Sequence, residues 1–414
     1  MGEDRHRSSP IETELEIGTQ VMEDIYIVSG VRTAVGDFGG SLKSFSPADL
    51  GGMVATEALK RAGVEPDAIE HIVIGQVMPN SARDEMLSRV IGINAGVPLA
   101  TPALTLNRLC GSGVQAIVSA AQMMKLGEAK VTLAGGAESM SNVPYHDHSV
   151  RWGKKMGPNV QEDALTLGLS DAIGGYHMGI TAENVAERHQ VTRKDMDTLA
   201  VTSHQRASRA IAEGRFKEQI LPVEVKTRKG VVVFDTDEHV KADTTMEVLG
   251  KMKPAFKKDG SVTAGNASGI NDGAAAVVLA TGSEVESRGL KPMAKIVAWG
   301  HAGVEPDYMG EGPIKAVPIA LERAGLSLDQ MDVIESNEAF AAQAAACARV
   351  LGFDPEKVNP NGSGVSIGHP VGATGCMLTI KCMYELKRIG GKYGLITMCI
   401  GGGQGIAMII ENVE

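Results

Sequence analysis

Residues 58–72 read A-L-K-R-A-G-V-E-P-D-A-I-E-H-I and residues 320–334 read A-L-E-R-A-G-L-S-L-D-Q-M-D-V-I, a match at a constant offset of 262. Identities fall at Ala, Leu, Arg, Ala, Gly and Asp, and positions 64/326, 69/331 and 72/334 are apolar in both copies. Each copy predicts the end of a helix, a glycine stop and the entry into a buried strand. The order beyond each copy recurs as well. C-G-S-G-V-Q-A-I-V-S-A-A-Q-M-M precedes V-T-L-A-G-G in the first stretch, and G-A-T-G-C-M-L-T-I-K-C-M-Y-E-L precedes L-I-T-M-C-I-G-G-G in the second, with Gly113 and Gly375 keeping the same offset. The chain therefore predicts an α/β fold of two duplicated halves packed about a pseudo-twofold axis.

Between the halves, residues 140–270 have no repeat partner. They hold two helical patterns, T-A-E-N-V-A-E-R-H and T-R-K-D-M-D-T-L-A-V-T-S-H-Q-R-A-S-R-A, followed by polar turns, and read as a lid or binding domain. G-I-N-D-G-A-A-A-V-V-L-A, from 269, returns to a buried-strand pattern and is expected to rejoin the first half. The expected division is 22–139 plus 271–291 for the first half, 140–270 for the insert and 292–414 for the second half. Residues 1–21 mix acids with bases, lack an apolar core and read as a flexible leader, with Met22 opening a strand directly.

A net charge of −10 and 4% aromatic content leave no basic face or stacking platform for nucleic acid, so a small-molecule partner is expected. No apolar run approaches the ~18 residues of a membrane span. Residues 201–260 run against the overall sign, with Arg228, Lys229, Lys251, Lys253, Lys257 and Lys258 in or near turns; most of these side chains read as a solvated surface, and an anionic ligand docking there is the alternative. Five cysteines without a C-x-x-C pair predict no disulfide framework and no zinc site, hence a reducing, cytoplasmic setting. The pair His146 and His148 finds no further ligand cluster, and no metal is expected.

Two cysteines and a histidine carry the chemistry: Cys110 in N-R-L-C-G-S-G, His369 in S-I-G-H-P-V-G-A-T-G and Cys399 in M-C-I-G-G-G-Q-G. Taken singly, each cysteine reads as a small buried hydrophobe and each glycine run as a tight turn. Together they offer a nucleophile and two groups that move protons, in loops where the backbone can approach a substrate and its N–H groups can face an oxyanion. Cys110, placed between a strand and a helix, is expected to have its thiolate favoured by the helix dipole and to accept an acyl group. His369 is expected to take its proton. Cys399 is expected to end the last strand of the second half and to act as acid and base. Asn337, in S-N-E-A-F-A-A-Q, reads either as a holder of water or enolate oxygen or as a helix cap. Cys347, Cys376 and Cys382 lie on apolar helical faces and read as core. The glycine runs match neither a dinucleotide fingerprint nor a P-loop.

With N-E-A-F, G-H-P-V-G-A-T-G and C-I-G-G-G in this order, the chain resembles the thiolase family, in particular its short-chain, biosynthetic acetyl-CoA acetyltransferases, from Met22 to Glu414. That resemblance implies the duplicated thiolase fold in α-β-α-β-α layers, with the insert as a loop domain that binds coenzyme A and contributes to oligomerisation. It also implies reversible condensation of two acetyl-CoA to acetoacetyl-CoA and CoA through an acetyl group on Cys110, with no cofactor beyond the CoA thioesters and a homotetrameric assembly. A broader-chain 3-ketoacyl-CoA thiolase is the alternative. By the same resemblance, His369 with a water on Asn337 would bind the enolate, and the N–H groups of Cys110 and Gly401 the acyl oxyanion. Ser268, Leu169, His177, Met178, Phe256, Met309 and Phe340 would surround the pantetheine and acyl group. Lys241 would stand where relatives carry an adenine-proximal arginine, retaining charge but not stacking. A non-catalytic acyl-CoA-binding relative would have lost one of the three reactive residues.

Overall fold

A computed structural model describes residues 23–414; the expected leader and Met22 lie outside the described residues. In chain order the first half supplies β1 (Ile25–Thr33), α1 (Pro47–Ala62), β2 (His71–Gly75), β3 (Ala103–Leu106), α2 (Ser112–Lys125) and β4 (Val131–Ser139). The insert contributes α3 (Met178–Arg188) and α4 (Arg193–Ala212), and β5 (Asn271–Thr281) follows it. The second half supplies β6 (Ala294–Gly303), α5 (Gly312–Ala324), β7 (Val333–Ser336), α6 (Ala341–Leu351), α7 (Thr374–Ile389), β8 (Tyr393–Ile400) and β9 (Gln404–Asn412).

The helix stops of the repeat have the same local cause. α1 ends at Gly63 and α5 at Gly325, both left-handed, with φ of 64° and 65°. The starts of β2 and β7, of α2 and α7, and of β4 and β8 are likewise each separated by 262 residues.

β1, β5, β4, β2 and β3 pair in that order, antiparallel, antiparallel, parallel and parallel. β6, β9, β8 and β7 repeat the first three relations, and the fourth shrinks to an isolated bridge between Ile334 and Val358. The two sets are not separate sheets. Tyr26 pairs with Lys295 and Ile27 with Ala294, which joins β1 to β6 in one 11-stranded mixed sheet.

Strand alternation sets the layers. On β1 the Ser29 hydroxyl donates to Ala58 O of α1, whereas a Cβ on Gly30 would strike Met383 and Ile380 of α7 on the other face. In the second half, Leu395, Ala407 and Ile409 pack with Ala316, Val317 and Ala320 of α5, while Ile396, Met408 and Ile410 join the main core with residues of α7. The central layer is α2 against α7. They meet at the paired glycines, where a Cβ on Gly113 would lie 2.6 Å from Cys376 N and one on Gly375 2.4 Å from Val114 N. Both residues must therefore be glycine for the two helix N-termini to touch.

The insert is anchored to this frame. Arg32 of β1 forms a buried two-toothed pair with Asp237 at 2.7 and 3.0 Å, and α4 starts with a capping box between Thr192 and Asp195. β5 runs between β1 and β4, where the G-I-N-D-G stretch was expected to return.

Candidate active site

Contact of the α2 and α7 N-termini brings two loops of distant sequence to one cavity of about 520 Å³, whose wall includes Cys110 and His369. Cys110 lies between β3 and α2, partly open to the cavity. The backbone N–H groups of Gly401 and of Cys110 itself both face its sulfur. Cys399 is fully buried behind this wall, in an apolar cluster that includes Phe340, Met309 and, at its edge, Met178 and Phe256. It is near enough to Cys110 for charge on one to raise the pKa of the other. β9 follows β8, so Cys399 sits one residue from the end of a penultimate strand, not in the last strand as expected. The turn after it is left-handed at Gly402 (φ 73°) and Gly403 (φ 80°), which lets the chain reverse and leaves the Gly401 N–H aimed inward.

The His369 ring is oriented from both sides. Thr374 Oγ1 donates to Pro370 O at 2.9 Å, which uses its only proton, so its 2.7 Å contact with His369 Nδ1 assigns the proton to Nδ1. Nε2 is then an acceptor, and Asn337 Nδ2 donates to it at 3.3 Å. Asn337 is not a cap, because α6 starts four residues later, at Ala341, with Phe340 as its N-cap. Its Oδ1 is buried without a protein partner. The His369 backbone N–H donates to Asn271 Oδ1 at 2.9 Å.

Protonation departs from the sequence-based expectation. Burial pushes the Cys110 thiol up to about 11, against the opposing pull of the two N–H groups. Burial, reinforced by Cys110 and Cys347, holds the Cys399 thiol well above its usual value. Burial pushes His369 down to about 4. At neutral pH the resting centre is thus two thiols and a neutral imidazole, not a thiolate at a helix terminus. The helix dipole is present, but desolvation outweighs it.

The residues expected around pantetheine largely converge on the same cavity. Leu169, His177, Met178, Phe256, Ser268, Met309 and Phe340 all line it. His177 caps α3 through Nδ1, which accepts from the Gly179 N–H at 3.0 Å, and stacks on Phe256 at 4.7 Å. A Cβ on Gly179 would enter the Phe256 ring, which explains the glycine in Y-H-M-G. Phe256 in turn meets Phe340 edge-on at 6.1 Å. The N–H of Ser268 donates to Ala339 O, tying this wall to the N-E-A-F loop. Lys241 does not line the cavity. Its ammonium lies 3.0 Å from Asp37, a residue of the cavity wall, and its side chain is half exposed.

The sequence reading missed four supporting groups. Thr374 and Asn271 hydrogen-bond the ring and the backbone of His369, and the Asn107–Ser112 turn fixes the backbone of Arg108 and Leu109 ahead of Cys110. The fourth, Glu138, is fully buried and accepts from the N–H groups of Val77 (2.9 Å), Met78 (3.1 Å) and Gly372 (2.9 Å), clamping the loop after His369 to the loop after β2. Burial pushes its carboxyl up to about 8, while three donors and no acceptor favour the ionised form. The offset of 262 relates Ser112 to Thr374 and could have flagged both.

A thiolase N-terminal domain model matches residues 25–283 and a thiolase C-terminal domain model residues 290–412. The chain belongs to the thiolase family. It is 56% identical to a beta-ketothiolase of Cupriavidus necator, over 94% of this chain and 99% of that protein. The crystal structure of the Bacillus anthracis acetyl-CoA acetyltransferase superposes with a TM-score of 0.93 at 44% identity, covering 95% of this chain and 99% of that one. Human mitochondrial 3-ketoacyl-CoA thiolase in complex with CoA gives 0.92 at 43%, covering 95% and 99%. As a thiolase the protein is an acyltransferase, and CoA thioesters are the substrates of its family. Among the described residues no helix is long and apolar enough to cross a membrane.

Proposed function

We propose that this thiolase is an acetyl-CoA C-acetyltransferase working by a ping-pong mechanism. The observation that carries the reading is the His369 ring, anchored at Nδ1 and left accepting at Nε2, in the same cavity as a cysteine whose sulfur faces two backbone N–H groups. In the first half-reaction His369 Nε2 takes the Cys110 proton and the sulfur attacks the acetyl carbonyl carbon. The carbonyl oxyanion is held by the N–H groups of Cys110 and Gly401. The thioester C–S bond breaks, Cys399 gives its proton to the departing CoA thiolate, and acetyl-Cys110 remains. In the second, the Cys399 thiolate removes an α-proton from a new acetyl-CoA. The enolate is held by imidazolium 369 and a water on Asn337, and its carbon attacks acetyl-Cys110. Acetoacetyl-CoA leaves, and Cys110 recovers its proton from His369. The two high-pKa thiols are charged only within the cycle, Cys110 during acyl transfer and Cys399 from the release of CoA until it takes the α-proton, and both return to the neutral resting state.

In this reading CoA enters along Leu169, His177, Met178, Phe256, Ser268, Met309 and Phe340, and Lys241 meets the adenylate end once it leaves Asp37. Residues 140–270 form the loop domain, set between the halves 22–139 plus 271–291 and 292–414. The assembly is a homotetramer, and five free cysteines support a reducing, cytoplasmic setting. A second reading, the broader-chain 3-ketoacyl-CoA thiolase, is favoured by the similarity to a beta-ketothiolase and by a cavity wall containing the adaptable Met140, Met178 and Met309. Thiolysis rates with acetoacetyl-CoA and with a six-carbon 3-ketoacyl-CoA decide between them. A strong preference for acetoacetyl-CoA is expected, and comparable rates would establish the second reading.

A further inference from the structure

Three non-glycine residues among those described have positive φ: Gln190 just past the end of α3, Asn359, a residue type that tolerates it, and Leu109 at 45°. Leu109 immediately precedes Cys110. Its conformation is over-determined by neighbours. The Leu109 N–H donates to Asn107 Oδ1 at 2.8 Å, and Ser112 Oγ donates to Leu109 O at 2.7 Å while accepting the Arg108 N–H at 2.9 Å. The Leu109 side chain packs beside Val77, Met78 and Val371 and leans on the glycine that faces the sulfur: a Cβ on Gly401 would lie 3.1 Å from Leu109 Cδ1.

The second half supplies a control. At the offset of 262, Leu109 corresponds to Val371 and Cys110 to Gly372, and Val371 has no positive φ. The left-handed turn is therefore not inherited from the shared frame; it is present where the frame carries a nucleophile and absent where it does not. Backbone strain persists only where the surroundings enforce it, and it concentrates where a side chain must be aimed.

We propose that Leu109 is a positioning residue whose enforced left-handed turn aims the Cys110 sulfur at the Gly401 N–H. The inference rests on the reading of Cys110 as acyl acceptor. The test compares Leu109→Gly with Leu109→Ile, reading the rate of Cys110 alkylation by iodoacetamide, the rate of acetyl labelling from acetyl-CoA, and Tm. Glycine adopts the turn freely, whereas a β-branched side chain opposes it. L109I is expected to slow both rates by about 100-fold and L109G by less than about tenfold, since misplacing a reacting atom by about an ångström costs on that order. A packing role alone predicts the reverse order, because isoleucine keeps the apolar volume that glycine deletes. Equal or reversed rates overturn the proposal. Should L109I fail to fold, Asn107→Ala, which leaves the apolar contacts of Leu109 in place, is expected to slow alkylation about tenfold, and an unchanged rate overturns it. Wild-type protein that is alkylated at Cys110 but never acetylated would fault the proposed reaction instead, leaving the order of alkylation rates to judge the turn.

Discussion

Residues 107–113, N-R-L-C-G-S-G, and residues 369–375, H-P-V-G-A-T-G, are the same turn into the same helix at an offset of 262, yet they do opposite jobs. Where the first has Cys110 the second has Gly372, and where the second has His369 the first has Asn107. The shared frame survives in the hydroxyl at the helix start. Ser112 holds the backbone around Cys110, and Thr374 holds the ring of His369. Duplication thus supplied two equivalent helix N-termini in contact, and divergence placed a cysteine, the proposed acyl acceptor, on one and a histidine, the proposed base, on the other. Neither half contains the whole centre.

The largest expected effect breaks that division. Cys110→Ala should abolish acetyl labelling and lower turnover by about 10⁴-fold or more, whereas Cys399→Ala should still become labelled yet fail to condense. Mass spectrometry of labelled peptides checks both, and an acetyl group on Cys399 would reverse the roles. Next, Gly375→Ala drives a Cβ into the backbone of the opposite half, and its destabilisation should exceed about 4 kcal/mol. Gly325→Ala, at an open left-handed helix stop with nothing within 4 Å, should cost about 1–2 kcal/mol. Chemical denaturation ranks the two, and equal losses would mean that the helix contact yields. Thr374→Ala should lower kcat by about 10–100-fold with little change in KM, and Thr374→Ser should restore most of it. A threonine that acts only as a helix residue would show no such loss.

The smallest effect concerns pH. His369 is held down at about 4, so kcat/KM for acetyl transfer should change less than about twofold through this group between pH 8 and 6. Stability should behave differently. Between about 6.5 and 4 an unfolded histidine takes up a proton that native His369 refuses, so stability declines as pH falls through that window. Alkylation of Cys110 should keep accelerating above pH 9 toward about 11, and a plateau near 8.5 would show an unperturbed thiol.

Local order fixed much of this in advance. The repeat, the glycine stops at 63 and 325, the helices after Cys110 and in the insert, and the return strand after 269 are all encoded by periodicity and by residues with restricted or special backbone freedom, which act over a few positions. The same repeat named Gly113 and Gly375 as equivalents, and three glycine-flanked motifs named Cys110, His369 and Cys399. What the sequence could not supply depends on contacts between residues hundreds of positions apart. Only the fold packs apolar surface around the two thiols and the imidazole, and that desolvation overrides the helix dipole on which a thiolate was expected. Only the fold merges the halves through two residue pairs between β1 and β6, ties Lys241 to Asp37, and brings Glu138 to Gly372. The left-handed turn at Leu109 belongs to the same class, since leucine has no local preference for it and the surrounding hydrogen bonds impose it.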